Sequence, residues 1–287
     1  MKNILNINDT VGLISCSNGL DKNMKLKIEE LINILYSMKI NVICAKALYK
    51  NDENISYAAK TRAEELMKLY LNDNVKAIFD LSGGDLCNEI LDYLDYDKIS
   101  MTNKPFFGYS DLTVVLNALY EKSKIINYNY QLRNLIREDS FNQISNFRNS
   151  ILEGKNSLYN FNYKWIHGNS MSGIVIGGNI RCFLKLAGTQ YMPDFNNKII
   201  FLEALSGDIN KISTFLAHYQ QIGAFENING ILLGTFTELE KDIVAPNIED
   251  IIIEKLKNTT IPIAKTNELG HGSNSKCIPI GEYISLN

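Results

Sequence analysis

The sequence predicts an α/β fold: a parallel-sheet unit as far as Ile126, a connecting segment, and a smaller, more β-rich unit beyond it. Three observations predict this. Short apolar runs alternate with apolar positions at helical spacing through the first part of the chain. Between about Lys124 and Lys164 the periodicity weakens and Asn, Tyr, Ser and Arg dominate. Past that stretch the texture becomes β-rich and punctuated by glycine. The chain's 287 residues, 45% of them hydrophobic, are enough to bury the cores of two units. The boundaries are drawn at 1–126, 127–164 and 165–287.

In chain order, Val11 to Cys16 reads as a first buried strand, Met24 to Met38 as a helix and Asn41 to Ala45 as a second strand. Ala58 to Leu71 carries Ala59, Ala63, Leu66, Met67 and Tyr70 on one helical face, and Val75 to Leu81 follows as a strand. Ser82-Gly83-Gly84-Asp85 ends that strand. It is either a tight turn or a place where bare backbone N–H groups approach a ligand. Leu86 to Leu94 is expected as a helix, leading to the aromatic run Pro105 to Tyr109. The segment Asn127 to Lys164 reads as a surface connection with some helix near Ser140 to Glu153. Arg133 and Arg137 lie among its aromatics without a wider basic face. In the second unit, Ser172 to Asn179 precedes a short helix to Leu186, and Lys198 to Glu203 is a strand ending in an acid. A helix from Ile209 to Ile222, a strand from Ile228 to Thr235, a helix from Ile248 to Leu256 and a last strand around Ile261 to Ala264 complete the reading.

Composition excludes several classes. A net charge of −3 with mixed signs offers no basic face for a phosphate backbone, so no nucleic-acid partner is expected. No apolar run reaches membrane-span or signal-peptide length, and the chain is expected in the cytoplasm. Five dispersed cysteines without Cys-x-x-Cys spacing read as reduced, packed thiols. No cluster has metal-ligand spacing, so neither a metal nor a cofactor is expected.

The chemistry centres on Lys104-Pro-Phe-Phe-Gly-Tyr-Ser110-Asp-Leu-Thr113. Leu112, Val115, Leu116 and Leu119 recur at helical spacing, so the chain turns from strand to helix at Ser110. A serine at such a corner is either a helix cap or the nucleophile of an elbow. Gly84 and Ser110 stand at strand ends on one edge of the sheet, where open α/β sheets bind ligands. Only three histidines exist. His271, held in Leu269-Gly-His-Gly272, is free to face a cleft; His167, in a loop, and His218, in a helix, read as surface or packing residues. Glu203 at a strand end needs water or a partner such as an imidazole. Ser110, Glu203 and His271 then form a triad in the chain order of α/β-hydrolases: imidazole as base, carboxylate holding its tautomer.

With these residues in place the sequence resembles the LD-carboxypeptidase family of serine peptidases, which includes the microcin C self-immunity peptidases. The resemblance runs through Arg62-Ala-Glu-Glu-Leu66, Asn74 to Ile78, Gly83-Gly84 with Leu91 to Tyr96, and the Ser110 segment. It continues through Gly173 with Gly177-Gly-Asn179, Gly188-Thr189, Phe201-Leu-Glu203, Gly230 with Gly234, and Gly270-His-Gly272 before Pro279-Ile-Gly281. It implies Ser110 as nucleophile, Glu203 and His271 as the other triad members, and the backbone N–H groups of Gly84 and Asp111 as the oxyanion hole. It also implies a flavodoxin-like N-terminal domain, a smaller β-rich C-terminal domain, no metal, a cytoplasmic homodimer and an active site between the domains. Ser82-Gly-Gly-Asp-Leu-Cys-Asn88 is closer to the microcin-immunity branch. Ile126 to Gln131 departs from the family's usual Gly-Pro, which bears on the substrate. The expected activity is hydrolysis of an amide beside a carboxylate terminus, on murein peptides. The alternatives are cleavage of a peptidyl- or aminoacyl-nucleotide amide and a non-catalytic binding protein, against which the retained triad residue types argue.

Overall fold

The computed structural model describes residues 3–241, 246–256 and 260–287. In the first unit β1 (Thr10–Ile14), α1 (Lys25–Ser37), β2 (Asn41–Cys44), α2 (Ala59–Leu71), β3 (Val75–Asp80), α3 (Tyr96–Ser100), β4 (Phe106–Gly108), α4 (Thr113–Ser123) and β5 (Asn127–Asn129) follow one another. Parallel pairing in the order β2-β1-β3-β4-β5 builds a flavodoxin-like sheet. The interior strands β1 and β3 are buried almost throughout, which is why they read as continuous apolar runs.

The rest of the chain gives α5 (Ser140–Ile151), β6 (Lys164–His167), β7 (Met171–Asn179), α6 (Ile180–Leu184), β8 (Lys198–Ala204), α7 (Ile209–Gln221), β9 (Gly230–Phe236), α8 (Ile248–Lys255), β10 (Ile263–Lys265), β11 (Ile278–Ile280) and β12 (Tyr283–Leu286). The second sheet runs β12-β7-β8-β9-β10-β6; β7 to β10 are parallel and both edges antiparallel. β11 leaves that unit and pairs antiparallel with β5, so that among the described residues each sheet has six strands.

Several expectations need correcting. Residues 87–93 wind as a tight 3-10 helix rather than an α-helix. His167 lies on β6, an exposed edge strand against β10, rather than in a loop. Two strands, β11 and β12, follow what read as the last one. Within 127–164 the chain is far from a bare surface connection. β5 extends the sheet, the 3-10 turn Leu132–Ile136 packs against α1, and α5 buries Phe147 and Ile151.

The two sheets share a core through α4. Thr113 through Tyr120 are all buried, as expected of a helix with protein on every side. One apolar cluster joins Ile14, Leu116, Val175 and Leu202 across both sheets. A second, with Leu31, Phe79 and Phe147, covers the other face of the first sheet. A polar side chain on α4 fixes the docking: Asn117 Nδ2 donates to the Gly177 carbonyl at 2.8 Å, and Asn117 Oδ1 accepts from Gly177 N at 2.9 Å. Asn179 N donates to Thr113 Oγ1 at 2.9 Å beside it. No helix among the described residues is long and apolar enough to cross a membrane.

Candidate active site

Tyr109 ends β4 in extended conformation and Ser110 turns the chain with φ of +57°, a left-handed value that costs a non-glycine residue about 1–3 kcal/mol. The 3-10 turn Ser110–Leu112 then feeds α4. Neither helix receives a side-chain cap, so the strain at Ser110 is not repaid by capping. The corner has the geometry of an elbow.

Opposite it, Glu203 on β8 is 1% exposed and both of its oxygens are engaged. Oε2 lies 2.6 Å from His271 Nδ1, and Oε1 accepts from Asn179 Nδ2 at 3.2 Å. Asn179 in turn caps α6, accepting from Cys182 N at 3.2 Å. The burial that made an unpartnered glutamate costly is thus answered by the imidazole. The loop bearing His271 lies tightly on β9: Thr235 N donates to the Leu269 carbonyl at 2.8 Å, and Gly270, at φ +144°, leaves no room beside Thr235 for a side chain. His271 itself is 6% exposed, more buried than a histidine between glycines suggests. Its other ring nitrogen, Nε2, is buried without a hydrogen-bond partner among the described residues. The Tyr109 ring packs against the imidazole with centroids 4.7 Å apart, placing Ser110 next in chain to a residue that touches the histidine. No Ser110–His271 hydrogen bond is formed, and such bonds commonly tighten only with substrate in place. His167 and His218 are exposed elsewhere.

The glycine turn comes to the same edge. A side chain built on Gly83 would lie 3.9 Å from Ser110 Oγ, and Gly84 takes φ +128° with Asn18 packed against it. Residues of the second unit hold this turn: Arg181 Nη1 pairs with Asp85 at 2.6 Å, and Lys185 Nζ donates to the Asp85 carbonyl at 2.9 Å. Lys185 also pairs at 2.6 Å with the fully buried Asp111, whose other oxygen accepts from Ser17 Oγ at 2.7 Å and Cys87 N at 2.9 Å. The Asp111 side chain therefore braces the elbow, leaving its backbone N–H for any oxyanion role. Removing one partner of a buried pair leaves an uncompensated charge. Lys185→Met is expected to lower unfolding free energy by about 3 kcal/mol, near the lower end of the usual range because two other donors to Asp111 remain. Urea titration checks this; an unchanged midpoint would mean that the pair is not holding the units together.

Sequence reasoning missed Asn179 as a partner of Glu203, although a cap-forming residue after Gly177-Gly178 at a strand-to-helix junction was a usable sign. It missed Lys185 because nothing local marks a lysine whose partner lies 74 residues away. It also treated Arg133 and Arg137 as belonging to a surface loop. Instead Tyr109, Gln131, Arg133, Arg137 and His271 line one cleft of about 360 Å³, because the turn at 132–136 folds back beneath α1. Arg137 Nη1 donates to the His271 carbonyl at 3.1 Å. Among the described residues no three His, Cys, Asp or Glu side chains converge as metal ligands would.

Fold and site together define a two-domain α/β protein whose candidate site is built from both sheets. The chain belongs to the LD-carboxypeptidase family, a family of peptidases: its N-terminal domain profile matches residues 11–130 and its C-terminal domain profile residues 172–286. A putative carboxypeptidase of Treponema pallidum is 27% identical over 100% of this chain and 92% of its own length. The microcin C7 self-immunity protein MccF of Escherichia coli is 24% identical over 98% of this chain and 91% of its own. Among solved structures, an MccF-like protein from Bacillus anthracis superposes with a TM-score of 0.87 at 26% identity, covering 99% of this chain and 94% of that one.

Proposed function

We propose that the chain is a serine carboxypeptidase that hydrolyses an amide next to a carboxylate terminus, acting on murein peptides at an L,D bond such as the one that releases terminal D-alanine. The observation that carries the reading is the buried Glu203–His271 pair, 2.6 Å apart, beside the strained corner at Ser110. Ser110 Oγ attacks the amide carbon while His271 Nε2 takes its proton. Glu203 at Nδ1 keeps the tautomer with Nε2 free and stabilises the ring once charged. The imidazolium gives its proton to the departing amine, and a water deprotonated by His271 then releases the acid from Ser110. The backbone N–H groups of Gly84 and Asp111 are assigned to the oxyanion. Full-length similarity to the putative carboxypeptidase of Treponema pallidum supports the carboxypeptidase activity, and similarity to a probable murein peptide carboxypeptidase of Bacillus subtilis supports the substrate class.

A second reading, hydrolysis of a peptidyl- or aminoacyl-nucleotide amide, is favoured by full-length similarity to MccF, which has been solved in complex with aspartyl sulfamoyl adenosine. Mass spectrometry of the purified protein incubated with tetrapeptide muropeptides and, separately, with a peptidyl adenylate amide tests both. Loss of one alanine from the muropeptide supports the first. Cleavage of the adenylate amide alone replaces it with the second, and no cleavage of either rejects both.

Thiol chemistry gives a further expectation. Burial pushes the thiols of Cys16 and Cys87, which flank the site, well above the ordinary cysteine range, so at neutral pH they stay protonated and unreactive. Cys44 is the exposed thiol of the five. Iodoacetamide is expected to label Cys44 and leave turnover unchanged, read by intact mass and activity on one sample. Inactivation that tracks labelling of Cys87 would point to a cysteine nucleophile.

A further inference from the structure

Gln131 and Arg133 stand on the cleft wall with donors that the protein itself does not use. Gln131 is 2% exposed, and its amide orientation is fixed because Oε1 accepts from Arg133 N at 3.0 Å. That leaves Nε2 as the free end, buried and without a partner among the described residues. Arg133 Nε is likewise buried and unpartnered among the described residues. Among the described residues the Arg133 guanidinium has no salt-bridge partner, whereas its neighbour Arg137 is engaged by Asn134, Glu138 and the His271 carbonyl. Buried donors are almost always satisfied in folded proteins, so two on one wall of a cleft call for an acceptor from outside. A guanidinium beside an amide N–H matches an oxyanion in charge and in donor direction. His271, with its own unpartnered Nε2, lines the same cleft.

We propose that Gln131 and Arg133 form the subsite for the substrate's terminal carboxylate, on the leaving side of the scissile amide; this rests on the carboxypeptidase reading. The same donors would accept a nucleotide phosphate, and the test separates the two sources. Ser110→Ala protein, which holds ligand uncleaved, is titrated by calorimetry with a peptide ending in free D-alanine, with the same peptide amidated, and with adenosine monophosphate. The free acid is expected to bind about 10- to 100-fold more tightly than the amide, the span expected for a charge-assisted hydrogen bond. Adding Arg133→Gln is expected to erase that preference by weakening the acid alone. Arg133→Lys should restore part of it, and Gln131→Leu should reduce it without removing it. Thermal melts confirm that each variant is folded.

Equal binding of acid and amide, or a preference that survives Arg133→Gln, overturns the subsite. Tight nucleotide binding that depends on Arg133, with no acid preference, overturns the carboxylate assignment in favour of a phosphate. If wild-type protein cleaves no peptide while the Arg133-dependent acid preference persists, the subsite stands and the carboxypeptidase reading falls.

Discussion

Ser110→Ala is expected to abolish turnover and leave the fold intact. Deleting a triad nucleophile leaves only binding and oxyanion donors at work, and in a protease dissected this way kcat fell by about 10⁶-fold. Stability should hardly move. Alanine bears the same left-handed strain as serine at φ +57°, and no side-chain cap is lost because neither following helix has one. The measurement is kcat/KM on the best substrate alongside a thermal melt. Activity within about tenfold of wild type would remove Ser110 from the nucleophile's role, given the size of the loss expected.

His271→Ala and Glu203→Gln are expected to fail to different degrees. The histidine must exchange protons with the reacting atoms, so its loss should match that of Ser110. The glutamate only orients and stabilises the ring. Glutamine would place an N–H opposite Nδ1 and favour the wrong tautomer, and the matching change in a dissected Asp-containing triad cost about 10⁴-fold. The Asn179 contact to Oε1 should hold a glutamine with its carbonyl toward Asn179 and its amide toward the ring, which reinforces the wrong tautomer. Combining Ser110→Ala with Glu203→Gln should add little, because residues acting as one unit are not additive. Near-normal rates for Glu203→Gln would send the search for the third member to another acid.

How much of this was legible in the sequence follows from where each element sits. The parallel strands β1, β3, β8 and β9 are interior, buried on both faces, and announce themselves as apolar runs. Of the four strands that were missed, β6, β11 and β12 are sheet edges, where one side of the ladder is open and the pattern can be polar or broken, whereas β5 is interior but only three residues long and reads Asn-Tyr-Asn. β11 carries Pro279, which an edge tolerates and which argues against a strand when read alone. At the site, Ser110 and Glu203 were marked by local pattern, a corner and a strand end. His271 was marked by its glycines and by the scarcity of histidines. Lys185, Gln131 and Arg133 carry no local mark, since what each side chain meets is set by chain distant in sequence.

The crossing of β11 into the first sheet has a consequence for how the protein is made. A ribosome delivers residues 10–129 early, yet the outer side of β5 stays unpaired until 278–280 have emerged. β7 waits longer still for β12. Until then the nascent chain shows two open strand sides, the kind of surface on which unfinished chains pair with one another. The serine-bearing half and the histidine-bearing half are therefore poor candidates for expression as separate pieces, and a chain stopped short of residue 278 would leave the first sheet one strand short.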